Sequence, residues 1–290
     1  MPLEPIADLM RAAQRGGYAV GYFESWNLES LQGVLDAAEQ TRAPIIIGFN
    51  GEFLSRPGRL TGERLALYGA LGKAAAESTT VPCGFIFNEC AQDNWIEQAI
   101  TAGFNLVMPA DADAPHKEYA RRVARLAQLA HGQGIAIEAE IGELPCGNTA
   151  GCATDPVMAA EFVETTGIDL LAVSVGNVHI KLNGEQPLDL ERLAAIRKRV
   201  AVPLVLHGGT GIDADALRGA IQLGVTKVNY GTYLKQHYLR VVRQAFQGHQ
   251  PNPHELLGMG GADDVMVAGR FAVRDAVLER IERLGCCGKG

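Results

Sequence analysis

Residues 84–91 read GFIFNECA, a short apolar climb that stops on Asn88, Glu89 and Cys90, three side chains able to donate, accept or ligate. A second stretch, IAIEAEIG at 135–142, carries Glu138 and Glu140 two residues apart. In an extended chain, side chains two apart share a face, so both carboxylates point one way and Ile137, Ala139 and Ile141 the other. Buried charge must be paired, and two inward carboxylates on one strand ask for a cation. His179 and His207 each follow an apolar run, and imidazole with carboxylate is a metal-ligand set. Either histidine alone would read first as a hydrogen-bonded residue of the barrel rim. Two of them with a glutamate, at three strand ends, make divalent-metal binding the expectation. The next signal is HGGTG at 207–211. Small residues after a strand leave backbone N–H groups able to surround a phosphate, and a helix start beyond them adds a favourable dipole. Such a turn can also merely connect two elements, so its place in the fold decides. Asn229 and Thr232, from KVNYGT, would sit beside it if the two loops are neighbours.

The elements that must hold these residues are regular. Apolar runs occur at 18–23, 44–49, 84–89, 106–111, 135–142, 170–176, 203–208 and 226–232. Most have no solvent-facing alternation, which is how parallel strands covered on both faces read. Helical periodicity fills the spaces between them. Leu28, Leu31, Val34, Leu35 and Ala38 share one face in 27–41, and Leu190, Leu193, Ile196 and Val200 share another in 188–200, with Asp189 as N-cap. In 213–224, Asp213 caps, Ile212 and Leu217 take staple positions and Gly224 can stop the helix. Eight strand–helix units predict an α/β fold of the (β/α)8 TIM-barrel type, with a C-terminal helical extension over 271–284. A doubly wound open sheet is the alternative, but its GxGxxG turn is missing. In a barrel the active site lies at the C-terminal ends of the strands, and phosphate seats lie after strands 7 and 8. Glu24, Asn88, Glu89, His179, His207 and Asn229 all fall at or just past such ends.

Composition narrows the class. The 290 residues carry a net charge of −7 with no basic cluster, so nucleic acid is not an expected partner. A single domain over 1–290 is the expectation. No apolar run approaches the roughly 20 residues of a membrane helix, and MPLEPIADLM lacks the basic start and apolar core of a signal peptide. A cytoplasmic protein follows, in which Cys83, Cys90, Cys146, Cys152, Cys286 and Cys287 should be free thiols.

Taken together, the segments RGGYAVGYFESWNLESLQGVLDAAEQTRAPIIIG, EAEIGEL, GIDLLAVSVGNVH, VPLVLHGGTGI and KVNYGTYLK resemble the class II, metal-dependent fructose-bisphosphate aldolase family, particularly its tagatose- and ketose-bisphosphate branch. The resemblance runs over almost the whole chain. It implies a barrel, a homodimer or homotetramer, and a divalent metal, zinc first, with Mn, Mg, Co or Fe as alternatives. It also implies cleavage of a phosphorylated ketose to dihydroxyacetone phosphate and an aldehyde through an enediolate. By motif, His179 and His207 match metal ligands, Gly208, Gly209 and Thr210 the first phosphate loop, and Asn229, Tyr230, Gly231 and Thr232 the second. Lys181 resembles a lysine that follows the first histidine, and Glu140 a carboxylate near the metal.

The chain departs from the family at strand 3, where Asp-His is the family pattern and Asn88-Glu89 stands here. The resemblance then implies Glu89 as third ligand and Asn88 as a neutral stand-in that holds a hydroxyl but exchanges no proton. Glu24 stands where the family has asparagine. With the family acid/base aspartate gone, Glu24, Glu140 and Glu143 are candidates for its task. The alternatives are an isomerase, epimerase or decarboxylase of a sugar phosphate or sugar acid, and an inactive sugar-phosphate-binding protein.

Overall fold

The computed structural model describes residues 3–111, 114–142, 144, 151–178, 187–247 and 252–290. Eight parallel strands close in chain order: β1 (Val20–Glu24), β2 (Ile45–Asn50), β3 (Cys83–Cys90), β4 (Leu106–Pro109), β5 (Ala136–Ile141), β6 (Leu170–Val173), β7 (Leu204–Leu206) and β8 (Val225–Tyr230). β8 pairs with β1, with Tyr22 beside Asn229, which closes the barrel and rules out the open sheet. Every residue of β1, β2 and β8 is buried, as parallel strands covered on both faces are.

The helices begin where polar caps take up their first N–H groups. Asn27 and Ser30 exchange side-chain and backbone bonds at the start of Leu28–Thr41. Asp189 and Asp213 cap Leu190–Arg197 and Ala214–Gln222 as expected. Asp155 accepts from the N–H groups of Val157 and Met158 and caps the head of Pro156–Thr166.

The final helix runs Val265–Leu284, starting earlier than the 271 expected from periodicity. The cause is Asp264, which caps it and also gathers the N–H groups of Gly258 and Gly260 from the glycine-rich turn. This helix packs across Leu28–Thr41 and Thr232–Ala245, burying Val273, Ala276, Val277, Ile281 and Leu284.

Strand register sorts side chains between the lumen and the outer layer. Glu24 lies beside Gly48, Asn50 beside Asn88, Glu140 beside Ala172 and Lys227 beside Val205. The polar members of these pairs collect toward the strands' C-terminal ends. Among the described residues no helix is long and apolar enough to cross a membrane. Cys83, Cys90, Cys152, Cys286 and Cys287 are free thiols; Cys146 lies outside the described residues.

Candidate active site

The Asn88-Glu89-Cys90 run is sorted by a bulge. The register between β3 and β4 shifts between Phe87 and Cys90, and Glu89 takes a φ of 55°, in the left-handed region. A bulge re-aims a side chain that regular alternation would send elsewhere. Glu89 turns inward, with Oε1 2.8 Å from His207 Nδ1, while Asn50 Nδ2 donates to Oε2 at 2.8 Å. Cys90 is buried against Ser55 Oγ at 3.7 Å and the Gln92 carbonyl at 3.5 Å. Asn88 is buried with its Oδ1 lacking a hydrogen-bond partner among the described residues.

His207 stands at the centre of the cluster. Its Nε2 lies 2.9 Å from Glu138 Oε1, and its Nδ1 faces Glu89 and, at 4.0 Å, Glu140 Oε2. Its carbonyl accepts from Asn177 Nδ2 at 3.0 Å. Glu138, fully buried, also takes Lys227 Nζ at 2.9 Å. The same ammonium donates to Asn229 Oδ1 at 2.6 Å.

Electrostatics follow from these contacts. Burial disfavours the His207 imidazolium, but hydrogen bonds to Glu138 and Glu89 outweigh it and push its pKa up to about 10. Burial also opposes charge on Glu138, yet Lys227 and His207 hold its pKa below the usual carboxylate value. Burial raises Glu140 to about 7, helped by Glu89 and Glu138 and opposed by His207. Its Oε1 has no hydrogen-bond partner among the described residues. Glu24 is raised by burial and countered by Lys235, with which it forms an ion pair. Lys235 Nζ also lies 4.4 Å from the Phe53 ring centroid and 5.7 Å from that of Trp26.

The glycine loop sits against β8. Gly208 has a φ of 64° and leads into a single 3₁₀ turn, Gly209–Gly211. A Cβ on Gly209 would lie 2.7 Å from both the Tyr230 ring and a Val228 methyl, so only glycine lets the loop approach. Thr232 opens the helix Thr232–Ala245 directly after Gly231. Tyr230 points away from the lumen. Its ring stacks on Phe23 at 5.7 Å, and the Arg280 guanidinium lies 5.9 Å from it. Its side chain is therefore unavailable to a lumen ligand, and only its backbone can face one.

His179, Lys181 and Glu143 lie outside the described residues. Among the described residues no three His, Cys, Asp or Glu side chains stand at metal-holding spacing. Glu89 and His207 are in direct contact, and Glu24 is separately engaged with Lys235.

The sequence pattern of fructose-bisphosphate aldolase class-II matches residues 4–289. The chain belongs to the class II fructose-bisphosphate aldolase family. It is an aldolase-type carbon–carbon lyase. A fructose-bisphosphate aldolase of Geobacillus stearothermophilus is 32% identical, covering 100% of this chain and 99% of its own. The crystal structure of the YdjI aldolase from Escherichia coli K12 superposes with a TM-score of 0.81 at 32% identity, covering 99% of each chain. A fructose-bisphosphate aldolase structure from Campylobacter jejuni, at 22% identity and a TM-score of 0.79 over 98% of this chain and 95% of its own, shares the fold.

Within this class II aldolase scaffold, three polar contributors escaped sequence reasoning. Lys227 alternates with Asn229 on β8, the same two-residue spacing that exposed Glu138 and Glu140 as a pair, so its inward direction was legible. Asn50 ends β2 one residue past the apolar run. Lys235 lies one helical turn beyond Gly231, whose carbonyl accepts its N–H, and no strand-end rule reaches it.

Proposed function

We propose that this protein cleaves or forms a carbon–carbon bond of a phosphorylated ketose with the help of a divalent metal ion, zinc first by family. The observation that carries the proposal is the His207 imidazole. Glu138 anchors one nitrogen, while the other faces Glu89 and Glu140 at the barrel mouth. A buried carboxylate behind an imidazole is the arrangement that orients a metal-binding histidine. The donor types fit the ion: the His207 imidazole faces the carboxylates of Glu89 at 2.8 Å and Glu140 at 4.0 Å, a nitrogen-and-oxygen set suited to a divalent cation. Glu89 and His207, with His179 as the third donor, would hold it. When bound, such an ion supplies a Lewis acid that polarises the substrate carbonyl.

The remaining steps belong to the chain. The backbone N–H groups of Gly208, Gly209 and Thr210, with Asn229 through Thr232 and Lys181, seat a phosphate beside the helix start at Thr232. Asn88 holds a hydroxyl. Glu140, raised to about 7 and lacking a partner on Oε1, takes the proton of the substrate hydroxyl as the adjacent bond breaks. Glu24 is less suited to that task because Lys235 occupies it. We assign a homodimer or homotetramer. This is supported by the helix Thr232–Ala245, which buries only Leu234, and by exposed Leu239, Phe246, Leu257 and Met259.

The deciding experiment loads the purified protein with each divalent ion in turn and supplies fructose and tagatose bisphosphates and related ketose phosphates. Triose phosphate products are expected. An isomeric sugar with no triose would replace the lyase reading with an isomerase, and absence of turnover with every ion and sugar would refute both.

A further inference from the structure

Tyr22 has no task in the reading above. It lies on β1, two residues before Glu24 on the same strand face, paired in register with Asn229 on one side and Ile46 on the other. Its side chain therefore shares the lumen with Asn229 and Lys227, and Lys227 Nζ stands 5.2 Å from the ring centroid. Tyr22 is 1% exposed, and its hydroxyl has no hydrogen-bond partner among the described residues. Leaving a buried hydroxyl unsatisfied opposes folding, and phenylalanine in the same space would avoid that cost. Such a group calls for a reason, and a ligand is one.

A second observation points the same way. Lys227 holds Asn229 Oδ1 at 2.6 Å. That fixes the amide so that Nδ2 is its remaining group, and Nδ2 is also buried and without a partner among the described residues. The two residues that carry these unspent donors are register neighbours on β1 and β8. Two unspent acceptors, Asn88 Oδ1 and Glu140 Oε1, sit on β3 and β5. The lumen offers donors from one wall and acceptors from others, the complement of a carbonyl oxygen next to hydroxyl groups. Burial first, then Glu24, Glu89 and Glu138, raise the Tyr22 pKa well above 10, so its hydroxyl keeps its proton and acts as a donor.

We propose that Tyr22 is a catalytic residue: its hydroxyl, paired with Asn229 Nδ2, donates a hydrogen bond to the substrate oxygen on which negative charge collects as the carbon–carbon bond breaks. The proposal rests on the aldolase reading for the identity of that oxygen. A donor preorganised for a developing oxyanion acts mainly in the transition state, so it appears in turnover more than in binding.

The test is Tyr22→Phe, which keeps the ring over Lys227 and removes only the hydroxyl. Turnover is expected to fall by about 10- to 100-fold, with KM within about threefold, metal content unchanged and a thermal midpoint equal to or above that of wild type. Unchanged turnover would overturn the proposal. Calorimetric binding of dihydroxyacetone phosphate to both proteins separates the two readings. If wild type cleaves no ketose phosphate, the aldolase reading has failed and Tyr22 is judged on this affinity alone. A loss of about threefold or more then supports the contact, and equal affinity overturns it. Should Tyr22→Phe fail to fold, the otherwise native protein with 3-fluorotyrosine at position 22 answers by ¹⁹F resonance. A signal that moves on adding dihydroxyacetone phosphate supports the contact, and one that stays overturns it.

Discussion

At the scale of single residues, Glu89 joins an unusual backbone to an unusual environment. A non-glycine residue at φ 55° costs on the order of 1 kcal/mol against right-handed or extended alternatives. The bulge that imposes this conformation also aims the carboxylate at His207. Strain held at such a point suits a residue kept for its contacts. Glu89→Ala should therefore empty the proposed ion site, because one of its protein donors is gone, and the purified variant should carry less metal than wild type by elemental analysis. Equal metal content would remove Glu89 from the ligand set. Glu89→Gly should lose metal in the same way yet be more stable than Glu89→Ala by about 1 kcal/mol, since glycine accepts the left-handed conformation. Lys227 makes a different case. With Glu138 it forms a fully buried ion pair that also orients Asn229. Breaking a buried pair from one side strands a charge and costs about 3–5 kcal/mol. Lys227→Met should lower stability by that order in urea unfolding, and a loss under about 1 kcal/mol would show that Glu138 is carried by His207 alone.

At the scale of elements, the barrel depends on where helices start, and Asp264 sets the start of the last one. Its carboxylate accepts from Met266, Gly258 and Gly260 N–H groups. These bonds, Gly260 first, hold its pKa below the ordinary value against the smaller opposition of burial. A carboxylate with a depressed folded pKa stabilises above its unfolded pKa, about 3.9. That contribution is lost as pH falls through the lower folded value. Asp264→Asn should thus be less stable than wild type at pH 7, with the gap closing as the pH drops below about 4. Asp264→Ala, which removes the cap outright, should cost about 1 kcal/mol or more. Thermal melts of the three proteins from pH 7 to pH 3 measure this directly. A gap independent of pH would mean that the acceptor geometry, and not the charge, provides the stabilisation.

At the scale of the molecule, barrel closure was legible because eight apolar runs alternate with amphipathic segments, and parallel strands buried on both faces leave no other simple arrangement. The inward set Glu138, Glu140 and His207 was legible through two-residue alternation and strand-end position. The sense of Glu89 was not, since nothing in GFIFNECA marks where the register slips. Nor was the partnership of Glu138 with Lys227, which joins strands 89 residues apart in the chain. The early start of the last helix was hidden by GMGGADD, whose glycines read as loop while their N–H groups serve the cap. That helix must lie close against Leu28–Thr41, and Gly33 permits it. A Cβ there would stand 2.5 Å from the Arg270 carbonyl oxygen and 3.0 Å from Val273 Cβ. Arg270 also pairs with Asp36 across the same seam, at 2.6 and 2.7 Å. Gly33→Val should push the two helices apart and destabilise the fold by about 1–3 kcal/mol, the usual range for overpacking. Gly261→Ala, at an open site where an added Cβ meets nothing within 4 Å, should change stability by less than about 0.5 kcal/mol. Denaturant titration of both variants tests the seam. Equal stability of Gly33→Val and wild type would show that the terminal helix can shift without cost and that its packing is not what closes the barrel's outer layer.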